Sequence, residues 1–500
     1  MLLSVRLDVE TVRLWHIQLL ERLSHRPGLQ ILVEPALGRP VPPGIGRLLR
    51  LEQALHGLSG TGLLSPVPRA RLDAFEQQGA ATSDLILDLC GGSDDTRGRV
   101  WRLLYDGAPG EAGLLNAILR TGSPVAEIRE GEAVVAAGRL GTERQGVLLA
   151  TCEDALARTI TLIEGAIAGA TLRLPEWDRA GSGETPRLSN PDLAWIAARS
   201  LSWRAIRRLH RVLYQAPHWR VGWRRVVGPD LLDLRRHPEE GWRDLPDDRL
   251  RFYADPFPIV RNGQLTLFVE EYPHATGKGI ISAVAFGPDG PLGVPEPVLE
   301  LPYHLSYPFV FEQDGEVWMV PESCAAGTID LFRATRFPGG WVKDRTLVWG
   351  VTASDATLHE VAGRWWLFAT VKDGGSYSDA LHLWSAPDFG GPFTPHAGNP
   401  VLIDSASARP AGRMVERAGV LYRPVQDCRA SYGAALGLAR VTRLDDQGFD
   451  QSVETVLTAG PKWPGRRLHT LNSAGGFEFI DGSGRARRPL WPRRSLVTSG

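Results

Sequence analysis

The feature that most constrains this chain is a repeat in its second half. Tyr253–Glu270 aligns with Ser306–Glu322, then with Ser354–Ala369, Ala408–Arg423 and, more weakly, Thr470–Asp481. Taking Asp255, Tyr307, Asp355 and Arg409 as equivalent gives spacings of 52, 48 and 54 residues. A period on the order of 50 residues is that of a propeller blade. Each copy has one grammar: a polar residue, usually followed by Pro, an apolar strand, a turn at Gly263, Gly315, Gly363 or Gly419, and a second apolar strand. That pattern is a hairpin. A third strand follows in four copies, at 279–286, 327–333, 380–385 and 435–440. The strand-like stretch His218–Val226 precedes the first copy and completes the last blade, closing the ring without a free edge. The expectation is a five-bladed β-propeller over 217–482.

In a propeller, residues that start the innermost strand of each blade and residues that end its hairpin partner converge on one funnel. The starts are Asp255, Ser306 with Tyr307, Asp355, Arg409 and His469; the ends are Glu270 with Glu271, Glu322, Lys372 with Asp373, and Arg423 with Gln426 and Asp427. Glu271, Lys372 and Asp373 read as strand-end caps. Acids at matching repeat positions, Asp255, Glu322 and Asp355 above all, read as a pocket of mutually perturbed titratable groups. Independent surface turns give no reason for that coincidence.

The 56 Lys+Arg against 57 Asp+Glu leave a formal net charge of -1, so no global field draws the chain to nucleic acid or an anionic membrane. Any charged partner is met locally. The four cysteines lie far apart with no CxxC pair, which argues against a disulfide framework or zinc knuckle and for a reducing, cytoplasmic setting. No signal peptide and no run of 18 apolar residues is found, so no membrane span is expected. The 55 Gly, 37 Pro and 16 Trp suit many short strands.

From Leu2 to about Ala170 short apolar runs alternate with helical periodicity. Val12, Trp15, Leu19, Leu20 and Leu23 predict a helix, Leu29–Val33 and Asp84–Leu89 predict strands, and Ala155–Ile167 predicts a second helix. Such alternation implies an α/β domain, over 1–173, with a largely parallel sheet. Residues 174–216 divide into a linker, Leu174–Pro191, and a basic amphipathic helix from about Asp192 to Tyr214. Two readings of that helix stand: peripheral contact with a membrane surface, or packing of one domain on the other with the Arg face in water. The last segment, 483–500, is a basic tail. No GxGxxG after a strand and no Walker motif is present, and no cofactor or metal is expected.

The stretches Tyr253–Phe257, His304–Pro308, Met319–Glu322, Arg423–Cys428 and His469–Asn472 resemble the propeller of plant glucosamine inositolphosphorylceramide transferases and of bacterial proteins grouped with them. In the plant proteins this propeller accompanies a separate glycosyltransferase domain, to which nothing here corresponds. The architecture is also similar to five-bladed glycoside hydrolases of the family 43, 32 and 68 type, which place an Asp-Pro acid in the first blade, an Asp in the third and a Glu proton donor further round. By that resemblance Asp255 and Asp355 match the two Asp positions. The fourth blade opens with Arg409 instead, so the donor falls to Glu322 or Glu270.

The implied function is a carbohydrate-active pocket in which Asp255 is base or nucleophile, Glu322 the acid and Asp355 the charge that tunes or orients. Arg409 and Arg423 would hold an anionic group, and Tyr307 and Tyr432 would offer faces to a sugar ring. Glu270, His304, Gln426, Asp427 and His469 complete the substrate-binding set. The competing class is a glycan-binding propeller without turnover, or an accessory domain of a glycosyl or formyl transferase system. The N-terminal domain resembles formyltransferases faintly, at Asp84–Gly91 and Gly98–Tyr105. It lacks that family's Asn-x-His pair, and His16 and His25 are expected in structural or surface roles.

Overall fold

The computed structural model describes residues 1–75, 83–91, 98–174, 189–463 and 465–488. The first part of the chain forms β1 (Leu2–Leu7), α1 (Leu14–Ser24), β2 (Gln30–Pro35), α2 (Ile45–His56), β3 (Leu85–Asp88), β4 (Arg99–Tyr105), α3 (Gly110–Thr121), β5 (Val125–Glu130), β6 (Ala133–Arg139) and α4 (Leu148–Ile167). The sheet order is β2-β1-β3-β4-β5-β6. The first four strands pair in parallel, but β5 and β6 join antiparallel. The parallel expectation therefore holds for one side of the sheet. β1 and β3 are almost wholly buried, as central parallel strands covered on both faces must be.

The second half is the five-bladed propeller. Blade 1 is built on Arg251–Arg261, Gln264–Pro273 and Ile280–Gly287. Blade 2 has Ser306–Gln313, Glu316–Glu322, Thr328–Arg336 and Gly339–Trp349. Blade 3 has Ala353–Val361, Arg364–Val371 and Ala380–Ala386. Blade 4 has Val415–Arg417, Val420–Asp427, Ala435–Asp445 and Gly448–Leu457. Blade 5 joins Leu471–Ala474 and Phe477–Ser483 to the earlier strand Trp219–Arg225, which pairs antiparallel with Phe477–Ser483. The ring is thus closed by a strand from before the first blade, as the sequence implies. The inner strand of blade 4 is the exception to the repeat: only Val415–Arg417 is regular, and its start is tied by the single bridge Pro410–Val425.

The two domains are docked through α4, which is buried nearly all round because it lies between the sheet and blade 3. Arg158 on α4 is fully buried and pairs with the fully buried Asp379 at 2.9 Å. Its Nη2 also donates to the carbonyls of Val371, Lys372 and Ser376 at 2.9–3.1 Å. At the end of β6, Ser405 N donates to Arg139 O at 3.0 Å, and Ser123 and Ser405 share a 2.6 Å hydroxyl contact. The linker expected over Leu174–Pro191 falls mostly on 175–188, outside the described residues. The basic tail is described to Arg488, with Ala486–Arg487 paired to Tyr214–Gln215; Arg493 and Arg494 lie outside the described residues. All four cysteines are free thiols.

The helix after the linker, α5 (Asn190–Leu213), starts on a reciprocal cap between Ser189 and Asp192. Leu193, Ile196 and Ser200 are buried, and Ser200 Oγ donates to Glu52 on α2 at 2.9 Å. From Leu201 to Leu213 every residue is exposed. The first turns of the helix pack on α2 of the α/β domain through Leu193 and Ile196, and its apolar residues from Leu201 onward are exposed.

Candidate functional site

In blades 1, 2 and 3 the inner strand breaks register near its start, between Ala254 and Phe257, Ser306 and Phe309, and Ser354 and Thr357. At each break one residue takes positive φ: Asp255 at 49°, Tyr307 at 44° and Asp355 at 56°. Such bulges re-aim side chains beside functional sites. Asp tolerates this region better than most residues, whereas Tyr is a true outlier that its surroundings must hold.

What holds them is a chain of carboxylates from blade to blade. Asp481, in blade 5, accepts from Asp255 N at 2.8 Å. Asp255 in turn accepts from Tyr307 N, in blade 2, at 3.0 Å and from Thr470 Oγ1 at 3.0 Å. Glu322 Oε2 accepts from Asp355 N, in blade 3, at 3.1 Å. Asp355 then receives Arg409 Nε at 2.6 Å and Gln426 Nε2 at 2.7 Å, both from blade 4. Arg409 also stands 3.6 Å from Glu322.

Five carboxylates therefore face one centre, Asp255, Glu270, Glu322, Asp355 and Asp481, with Arg409 and His469 as counter-charges. Burial raises Asp255 to about 6, with Asp481 and Asp355 raising it and His469 opposing. Burial likewise raises Asp355 to about 7 against the pull of Arg409. Glu270 is pushed well above the carboxylate range by burial and then by Asp255, Glu322, Asp481 and Asp355. Burial lowers His469, but Asp481 at 2.5 Å from its Nδ1 more than compensates, so its pKa is raised.

The sequence-derived set divides. Asp255, Glu270, Glu322, Asp355, Arg409, Gln426 and His469 converge on the funnel. Tyr432 also reaches it, with Arg409 4.7 Å above its ring, and packs edge-on against Trp219 and His469. His304 lies at the rim, 3.4 Å from Glu270, with its Nδ1 accepting from Gly279 N. Burial lowers its pKa, which keeps the ring neutral.

Three expectations are corrected. Tyr307 offers no face to a sugar: its ring is fully buried against Phe257, and its hydroxyl is shared with Thr357 at 2.9 Å and Gly412 N at 2.8 Å. Positive φ turns it into the propeller axis, where it and Arg413 tie several blades together. Arg423 does not hold an anion. Its guanidinium is spent on the Ser407 and Ala408 carbonyls and Gln451. Asp427 turns outward and pairs with Arg429 at 2.8 Å. The expected caps behave as such, with Glu271 held by Arg251 and Ser282 and Asp373 by Arg22.

Sequence reasoning missed Asp481, Trp219 and Glu143. Asp481 lies near the end of the second strand of the fifth copy, Phe477–Ser483, where the repeat positions of Glu270 and Glu322 point to it. Trp219 stacks on His469 at 4.2 Å. Glu143 arrives from the α/β domain, accepting from Ser376 Oγ, Tyr377 N and Ser378 Oγ at 2.7–3.0 Å, so no repeat announces it. Asp255, His469 and Asp481 each offer one atom within 4.8 Å of the others, a spacing that fits a metal ion. The proton shared by His469 and Asp481 would have to leave first.

Residues 247–475 match the family model described as Glucosamine inositolphosphorylceramide transferase 1, N-terminal. The chain is similar to the Glucosamine inositolphosphorylceramide transferase 1 of Oryza sativa subsp. japonica, 31% identical over 262 residues, covering 49% of this chain and 35% of the relative. The protein of the same name from Arabidopsis thaliana is 31% identical over 249 residues, covering 46% and 32%. The chain spans about a third of the length of these curated relatives. Among solved structures, a thermostable family-43 glycoside hydrolase is similar at TM-score 0.32 and 15% identity, covering 43% of this chain and 78% of that one. A family 117 glycoside hydrolase from Zobellia galactanivorans is similar at TM-score 0.34 and 14% identity, covering 53% and 91%.

Proposed function

We propose that the propeller funnel binds a glycan or glycoconjugate and processes it by carboxylate acid/base chemistry. The observation that carries this reading is the unequal treatment of the carboxylates. Asp255 and Asp355 each accept on both oxygens, Asp255 from Tyr307 N and Thr470 Oγ1 and Asp355 from the Arg409 and Gln426 side chains. Glu322 is held on Oε2 beside Arg409, and among the described residues its Oε1 accepts no hydrogen bond. Glu270 is pushed well above the carboxylate range by burial and then by Asp255, Glu322, Asp481 and Asp355, which favours its protonated form. One carboxyl pushed toward its protonated form, with a second beside an arginine in the same cluster, is the pairing that acid/base catalysis requires.

This favours Glu270 as proton donor and Glu322 as the carboxylate that activates the acceptor or attacks. Asp255 and Asp355 then act as positioning residues, a change from the roles their blade positions imply. Tyr432, half-buried and backed by the buried stack of Trp219 on His469, offers an aromatic group to a sugar. The relatives' name, a transferase of the glucosamine inositolphosphorylceramide kind, supports a sugar-bearing substrate. For the α/β domain the parallel strands β1 to β4 are compatible with a formyltransferase-like ancestry. The chain has no Asn-x-His pair, and His16 is a buried capping group lowered to about 3 by burial and Arg13.

A glycan-binding funnel without turnover is the second reading, favoured by the full hydrogen bonding of Asp255 and Asp355. The test is a glycan array and a panel of nitrophenyl glycosides with the full chain. Glu270→Gln and Glu322→Gln are expected to abolish turnover, by 10²-fold or more as an order of magnitude for lost proton transfer, while binding persists. Binding without turnover in the wild type selects the second reading, and unchanged turnover in both variants contradicts the assignment.

A further inference from the structure

Among the described residues, the largest run of exposed apolar side chains is on α5, not at the funnel. Leu201, Trp195, Trp203, Ile206, Leu209, Val212 and Leu213 are between 48% and 65% exposed. At about 100° per residue, Leu201, Val212, Leu209, Trp195, Leu213 and Ile206 fall on one continuous face, roughly opposite the buried Leu193, Ile196 and Ser200. Arg199 and His210 border one edge of that face, and Arg204, Arg208 and Arg211 border the other. The only acid in the helix is Asp192, used in its own cap.

Beneath the helix is a groove of about 490 Å³ whose lining includes Arg120, Arg199, Arg207, Arg429 and Trp203. Arg429 is engaged with Asp427. Among the described residues, no carboxylate pairs with Arg120, Arg199 or Arg207. The groove's other wall is the loop carrying Arg429 and Ala430, two residues before Tyr432 of the funnel.

We propose that α5 docks the protein on an anionic lipid surface, lying in the plane of the interface with its apolar face inserted and its arginines among the headgroups. The arrangement of a helix with one continuous apolar face, arginines on both edges and tryptophan on the apolar side is that of an interfacial helix. The same surface fits other occupants poorly. Two copies packed through it would bring arginine rows together with nothing to neutralise them. Nucleic acid would use the arginines but leave the apolar face in water. With the whole chain near neutral, the attraction must be local, and the arginines at the edges of the apolar face supply it. This docking stands independently of the chemistry in the funnel.

The test is flotation of the full chain with vesicles of phosphatidylcholine alone and of phosphatidylcholine with about 30% phosphatidylserine, an anionic surface of the kind such arginines attract. Binding to the anionic vesicles, weakened by salt, is expected, with quenching of tryptophan fluorescence by brominated lipid. Ile206→Glu with Leu209→Glu should reduce partitioning on the order of 10- to 100-fold, the loss of two inserted side chains. Both side chains are more than half exposed in the fold, so their replacement removes little packing. Should that variant misfold, Arg208→Glu with Arg211→Glu serves as the second variant and should abolish the preference for anionic vesicles. No binding, equal binding to both vesicle types, or a wild-type dimer in sedimentation that Ile206→Glu with Leu209→Glu converts to monomer would each overturn the proposal.

Discussion

At the residue scale, Asp355, Asp255 and Glu270 are buried acids in a field of other acids. A carboxyl whose folded pKa is raised binds more protons in the native state than in the unfolded chain. Its contribution to stability is therefore greatest at low pH and falls as pH rises from the unfolded value, near 4, through the folded one, about 7 for Asp355. Buried histidines such as His16 and His382, lowered to about 3 by burial, act in the opposite direction over pH 4 to 6.5. The clean prediction is a difference between variants. Asp355→Asn should lose less melting temperature than the wild type between pH 5 and pH 7.5, measured by calorimetry; parallel slopes would show that Asp355 is not raised. The funnel acids were legible because the repeat register places Asp255, Glu270, Glu322 and Asp355 at matching positions. Their division into structural and free carboxyls was not, because it depends on backbone amides such as Tyr307 N that a side-chain pattern does not reveal. Tyr307 misled for the same reason: nothing in a Tyr-Pro pair announces positive φ.

At the scale of elements, the propeller depends on the strand Trp219–Arg225 closing blade 5. Val221 on that strand is fully buried in a cluster with Phe477 and Phe479 and lies opposite Asp481 in the register. Val221→Pro removes a donor from a strand paired on both sides and should destabilise the protein by about 3 kcal/mol or more, read from denaturant unfolding. Because Asp481 orients His469, the same change should weaken ligand binding in the funnel before global unfolding. A strand that closes a ring from outside the repeat was visible as an apolar stretch beginning at Trp219. The fourth blade was harder to read: its start at Arg409 aligns with the others, yet its regular inner strand begins only at Val415, because Pro410 and Gly412 interrupt the ladder. For α5 the sequence supplied the amphipathic pattern and its two readings. Only the burial of Leu193, Ile196 and Ser200 against α2 showed which side faces the solvent.

At the scale of the whole molecule, the α/β domain is fastened to propeller segments at Tyr377 and Cys428 rather than hung from a tether. The loop after β6 carries Glu143 onto Tyr377, and Gln145 donates to the Cys428 and Arg429 carbonyls at 2.8 and 2.9 Å. The buried pair Arg158–Asp379 fixes this arrangement. Removing one partner leaves a buried charge uncompensated, so Arg158→Ala should cost about 3–5 kcal/mol and expose the interface to limited proteolysis. Arg158→Met with Asp379→Leu should recover much of that loss, since apolar replacement of both partners is well tolerated. The α/β domain was legible as strands alternating with helices, but its docking was not, because Arg158 looks like any polar residue on an amphipathic helix. The central claim, that the funnel of blades 1 to 5 is a carbohydrate site worked by Glu270 and Glu322, is tested most directly by a crystal structure of the Glu270→Gln chain soaked with the best glycan from the array. A sugar ring is expected against Tyr432, with its oxygens within hydrogen-bond reach of Glu322 and of the amide that replaces the Glu270 carboxyl. A glycan bound elsewhere, with the funnel free of sugar, would contradict it.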